Sequence, residues 1–431
     1  MMPFLFLLAA SAPTGQTTAP VLPTQLAAYL SAADRAAKAP EIARAQVEQQ
    51  VGQQQQAAAA LLPTLSANAS YTRNQYPTEA HIPAETGAAP ETITIMAQNQ
   101  RNAQASVNVP LFDLHSYAHL SASRHGTAAA REGARAVRGQ TQLQVAQAYY
   151  QVVAAQGILA AADRAVNTAR SNESMVKTKV EVGTQNQLSL ERARVDTARA
   201  LQGEAAAQRS LALARRTLAT LTGTPETTVP LPEAETPEDA FPAEGELVDE
   251  ALRERGEVMQ AKETLAQAQA NVRQAAAAYV PTLAATASID YSNSTGFLGQ
   301  DTSWSAGVTA KWNLDFLGTH GSRHTANAAS LEAHERLLQT QDQVRDGVHS
   351  ALLDLNTQRT LLEQTQAEAA SAVEALKLAQ ARFDEGTATA LELSQAQSDR
   401  FQAEANLSQA RANVASAWLA VYQAVHSLIQ E

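Results

Sequence analysis

The residues best placed to do chemistry are two histidine pairs at helical spacing, His115 with His119 and His320 with His324. Residues four apart share a helix face, so each pair could present two imidazoles to one metal ion. A zinc-type site needs further ligands and groups that orient the rings, and no carboxylate stands at matching spacing beside either pair. They are read as solvated residues near helix starts, and no metal is assigned. The chain has no Cys, which removes thiol catalysis, Cys-ligated zinc, disulfides and a lipid-bearing N-terminal Cys. It also lacks a Walker-type phosphate loop, a nucleophile-elbow serine and an HExxH pattern. The expectation is a protein that is not an enzyme and needs no cofactor.

The elements that would position such residues form a duplicated scaffold. AAAALLPTLSANAS around Pro63 matches AAAAYVPTLAATAS around Pro281, a shift of 218 residues, and VEVGTQNQLSLERARVD around Gly183 matches FDEGTATALELSQAQSD around Gly386, a shift of 203. With only 5% aromatic residues in 431, the composition cannot fill several large globular cores and suits long helices packed through small residues. Its net charge of −11, without a basic cluster, excludes nucleic acid as a partner, because such binding rests on neutralising phosphates.

Residues 1–11 read as a signal peptide, with the apolar run Phe4 to Ala10 followed by small residues, although no Lys or Arg precedes that run. Cleavage after Ser11 is preferred, since cleavage after Ala12 would place Pro13 in the extended protease site. The first repeat spans 12–222, with helices 24–38 and 41–62, strands 64–76 and 100–112, and helices 114–182 and 185–222. An acidic, Pro-rich connector follows at 223–245. The second repeat, 246–431, has helices 246–255 and 257–280, strands 282–293 and 303–314, and helices 319–385 and 387–430. Pro63 and Pro281 end helices. Alanines seven apart, Ala396 to Ala424 and Ala193 to Ala214, mark heptad seams where helices approach closely.

The strands alternate strictly: Ala103, Ala105, Val107 and Val109 with Asn102, Gln104, Ser106 and Asn108; Trp304, Ala306 and Val308 with Ser303, Ser305 and Thr309. Strands of about ten residues with one apolar face match outer-membrane barrels, with Tyr291, Trp304 and Trp312 as candidate membrane-interface aromatics. A soluble sheet packed on a helix fits the same alternation. Beyond the leader no run of about 18 apolar residues occurs, so no helix is expected to span a membrane. Four strands cannot close a barrel, for which about eight are the minimum, and an open sheet in lipid leaves its edges unpaired. Several chains must contribute.

The order helix, helix, strand pair, two long helices, repeated once, resembles the TolC-like outer-membrane efflux proteins. The resemblance rests on the junctions Ala60 to Leu65 and Ala278 to Leu283, the exit Val109 to Asp113, and the Gly-Thr turns at Gly183 and Gly386. It implies an α+β membrane protein with long helical hairpins forming a periplasmic α-barrel and four amphipathic strands contributing to a shared trimeric β-barrel. It further implies a homotrimer in outer-membrane lipid that docks with a periplasmic adaptor (membrane fusion) protein and an inner-membrane pump. Such a duct serves tripartite efflux or type I secretion and does no chemistry. A secreted or periplasmic coiled-coil scaffold without a channel is the alternative.

In the family the turns, here Gly183 with Thr184 and Gly386 with Thr387, form a periplasmic tip closed by inward polar groups. Acidic residues often stand six and nine positions after the second glycine; here these are Glu392 and Gln395. Phe383 occupies a tyrosine position, Ala388 an arginine position, and Ser189 a position that could carry an acid in the first repeat. The resemblance thus implies a constriction built from Glu392, Gln395, Ser189 and Phe383, closed partly by packing, in which three Glu392 carboxylates favour cations and ease one another's protonation. On its own, Glu392 reads as a helix-start carboxylate favoured by the dipole.

Overall fold

The computed structural model describes residues 23–82, 91–226, 229–234, 241–294 and 300–426. The expected leader lies outside the described residues, as do 227–228 and 235–240 of the connector and 427–431. The elements are α1 (Thr24–Ala36), α2 (Lys38–Ala59), β1 (Thr64–Arg73), β2 (Thr78–Ile82), β3 (Glu91–Met96), β4 (Asn99–Phe112), α3 (Leu114–Glu181), α4 (Gln187–Thr222), α5 (Glu244–Glu254), α6 (Gly256–Ala277), β5 (Thr282–Ser292), β6 (Thr302–Lys311), α7 (Phe316–Asp384) and α8 (Ala390–Val425).

Several boundaries differ from the sequence expectation for local reasons. The first helix break falls at Ala37, and Pro40 sits in the first turn of α2, where its missing N–H has no helical partner to lose. α2 ends at Ala59, because Pro63 disfavours helical backbone at Leu62 and the last turn unwinds. The strand expected over 64–76 stops at Arg73, and an additional hairpin, β2 with β3, precedes β4. Its signal was the alternation of Ile93 and Ile95 with Thr92 and Thr94, β-branched throughout. α7 begins at Phe316, before the expected 319, because Asp315 accepts from the Gly318 N–H at 2.8 Å. Asp113 caps α3 in the same way, accepting from the Ser116 N–H at 3.1 Å and its hydroxyl at 2.6 Å.

The chain forms two compact units. One comprises residues up to Glu41, Ala136–Arg255 and from Gln343 onward. Here α1 buries Leu26, Leu30 and Ala33, whose spacing places them on one helix face. Asp34 then accepts from Arg138 of α3, with Nη2 at 2.9 Å and Nε at 3.1 Å. The heptad alanines Ala207, Ala214, Ala403, Ala410, Ala417 and Ala424 are buried, so small side chains let the helices approach. The short α5 buries Leu247 and Ala251 and is tied to α7 by Glu244 with His349 (2.9 Å) and to the residue capping the end of α8 by Glu254 with His426 (3.1 Å).

The second unit comprises Ile42–Arg135 and Gly256–Asp342. It holds one four-stranded antiparallel sheet in the order β1-β4-β5-β6, so the strand pairs of the two repeats join through β4 and β5. β1 and β6 are its edges, and every residue of both is exposed. Among the described residues no helix face covers those edge strands.

Candidate functional site

Two places carry the functional expectations: the faces of the sheet and the turns that join the long helices. On the sheet, pairing aligns Leu65 with Val107, Val107 with Ala287, and Ala287 with Ala306, an apolar row running across all strands. The next row is Ser66, Ser106, Ser288 and Ser305, with hydroxyls in contact at 2.7 Å between the first two and 3.1 Å between the last two. Period-2 side chains therefore give one apolar and one hydroxyl face. Trp304 and Val308 stand out from the apolar face, 79% and 68% exposed. Tyr291 pairs with Ala103 and Thr302 and is also exposed. Trp312 lies just beyond β6, contrary to the strand end expected at 314, and its indole N–H donates to the Tyr279 carbonyl at 3.1 Å. The sheet end is thereby tied to the chain leaving α6.

The two turns repeat one design. Gly183 and Gly386 end α3 and α7 with φ of 78° and 76°, the left-handed backbone that lets a helix terminate without a Cβ clash. Thr184 then closes on the Lys179 carbonyl through its N–H and hydroxyl, both at 2.9 Å. Thr387 closes on the Arg382 carbonyl at 2.8 and 3.1 Å. The following helices begin with side-chain caps that the sequence reading missed. Asn186 accepts from the Ser189 N–H at 2.9 Å, and Thr389 accepts from the Glu392 N–H at 3.2 Å. The spacing Thr389-x-x-Glu392 was the available signal, a capping box.

Glu392 is exposed, and its Oε2 accepts from the Thr389 N–H at 2.7 Å and hydroxyl at 3.2 Å. The Thr389 N–H, then its hydroxyl, hold the carboxyl below the usual glutamate range. Within the chain, the shift is opposite in direction to the eased protonation implied by a ring of three. Because the folded pKa is lowered, the cap is intact above the unfolded glutamate value and is lost as pH falls through the folded one. The start of α8 is therefore expected to fray below the ordinary glutamate range, whereas α4, capped by non-titrating Asn186, should not. Asn186→Ala should cost about 1 kcal/mol at any pH. Amide hydrogen exchange at residues 187–190 and 390–393 separates the two, and equal pH responses would count against the capping account.

Phe383 is 1% exposed and packs with Val176, Leu190, Ala193, Leu376 and Leu393. In the single chain it therefore fills the core between the turns. Lys179 of α3 reaches the second turn: its Nζ lies 3.2 Å from Asp384 Oδ1, 3.4 Å from the Phe383 carbonyl and 4.9 Å from the Phe383 ring centre. This bolt joins the two hairpins and was not foreseen. Ser189 is half-buried and donates to Asn186 and Gln185. Gln395 is exposed and donates to Asp399 at 2.7 Å.

His115, His119, His320 and His324 are exposed, and His115 Nε2 lies 3.1 Å from Gln274 Nε2. Among the described residues no group of three His, Cys, Asp or Glu could hold a metal. No described helix is long and apolar enough to cross a membrane.

The fold recurs in solved structures. A membrane protein from Pseudomonas aeruginosa superimposes with a TM-score of 0.79 at 21% identity, covering 97% of this chain and 100% of that one. The Campylobacter jejuni CmeC outer membrane channel gives 0.77 at 18% identity over 95% and 87%. The open-state MtrE outer membrane channel of Neisseria gonorrhoeae gives 0.73 at 19% identity over 99% and 98%. No curated protein matches the chain in sequence. The family model for outer membrane efflux proteins matches residues 34–224 and 247–425, one match per repeat, which accounts for the duplication. The soluble scaffold is thereby set aside. With strands, hairpins and both repeats matched, the chain belongs to the outer membrane efflux protein family: it is an outer-membrane transport protein reaching into the periplasm, and not an enzyme.

Proposed function

We propose that three copies of this chain form the exit duct of a tripartite efflux or type I secretion assembly, passing substrate from an inner-membrane pump, through a periplasmic adaptor, across the outer membrane. The supporting observation is the sheet with one apolar face, one hydroxyl face and open edges at β1 and β6. Hydrocarbon does not tolerate unpaired strand edges, so β6 of one copy pairs with β1 of the next and the apolar faces turn to lipid. Light scattering in detergent should give three times the chain mass, with no folded monomer; a compact folded monomer would remove the barrel.

In this reading the turns at Gly183, Thr184, Gly386 and Thr387 form the periplasmic tip, and Glu392 contributes one carboxylate per chain to its constriction, beside Gln395 and Ser189. Such a ring favours cations. In planar bilayers under a salt gradient, Glu392→Gln should lower cation preference and blunt its fall on acidification, while Glu335→Gln, on α7 away from the turn, should change little. Identical reversal potentials for wild type and Glu392→Gln would place Glu392 outside the constriction.

A further inference from the structure

We infer that Asp290 is a second charge-selecting residue of the conduit, giving its membrane stage a preference for cationic over anionic solutes. The inference rests on the proposed barrel, in which the hydroxyl face of the sheet turns inward. On that face the described strands carry mostly hydroxyls and amides, with Pro110, Ala284 and Gly307 among them and only two charged groups, Asp290 and Lys311. Pairing aligns Asp290 with Gln104 on β4 and Ser303 on β6, next to the row of serines.

The carboxylate is held but not neutralised. Its Oδ1 accepts from Gln104 Nε2 at 2.6 Å and its Oδ2 from the Ser288 hydroxyl at 2.9 Å. Both donors are uncharged, and among the described residues no ion pair involves Asp290. Lys311 is aligned with Thr282, eight residues along β6 from Ser303. At about 3.3 Å per residue that is roughly 27 Å, some three Debye lengths at physiological salt, so Lys311 does not offset the carboxylate.

Three copies place three such carboxylates at one level. Twelve strands tilted by about 40° give a backbone radius of roughly 12 Å, and side chains leave a lumen radius of roughly 7 Å. That is no larger than the Debye length of about 8 Å, so the field of each carboxylate reaches the axis. A bias by charge follows, without the exclusion that a narrow filter would impose.

The test is ion selectivity in planar bilayers, using the full-length trimer. Asp290→Asn should lower the cation-over-anion permeability ratio by about twofold or more with conductance kept. The natural chain has no Cys, so Asp290→Cys offers one thiol per chain for methanethiosulfonate reagents. A trimethylammonium adduct should push the ratio toward anions, and a sulfonate adduct should restore cation preference. Unchanged selectivity in Asp290→Asn, or adducts confirmed by mass that shift nothing, would overturn the inference while leaving the conduit intact. A wild-type protein that neither trimerises nor conducts would remove the conduit itself, and Asp290 with it.

Discussion

Val308→Arg is expected to deplete the assembled protein from the outer membrane, while Thr309→Arg one position along is tolerated. Val308 is 68% exposed and aligned with Ala285, on the same face as Trp304 and Ala306. In the proposed trimeric barrel an arginine there meets hydrocarbon and costs about 2 to 4 kcal/mol near the bilayer midplane, repeated in each of three copies. Thr309 projects to the opposite, hydroxyl-bearing face, where a charge stays hydrated. The measurement is the yield of trimer in the detergent-extracted outer-membrane fraction. Equal yields would show that the two faces have been assigned the wrong way round.

If the turns form the proposed periplasmic tip, Lys179→Met is expected to open it. The bolt combines a partly exposed ion pair with Asp384, worth about 0.5 to 1 kcal/mol, and a cation–π contact with Phe383 of similar size. Its loss therefore removes about 1 to 2 kcal/mol per chain. If three chains open together, the closed state loses about 3 to 6 kcal/mol, an increase in open population of roughly 10² to 10⁴-fold. Spontaneous conductance in bilayers should rise, and cells should leak a large antibiotic that the closed tip excludes. Asp384→Asn should give a smaller effect, because the contact with the ring and the carbonyl of Phe383 remains. Lys177→Met, an exposed neighbour, serves as the control. An unchanged open probability in Lys179→Met would reduce the bolt to a surface contact.

What the sequence determined by itself was whatever follows from period and local sterics. Alternation at residues 102–109 and 303–309 separated the two sheet faces, because a strand turns successive side chains to opposite sides. Sevenfold alanine spacing marked the seams that are buried at Ala410 and Ala417, since a helix returns to one face about every seven residues. The glycines at 183 and 386 announced turns because their left-handed φ suits no side chain. Tertiary structure decided what depends on residues distant in the chain. The pairing of β4 with β5 brings Gln104 to Asp290 across 186 positions and turns a lone aspartate into a fixed, un-neutralised charge. The packing of the two hairpins sets Lys179 against Asp384 and closes Phe383 into a core. Register and interhelical docking are chosen by the sum of many long-range contacts, so no local window of residues carries them.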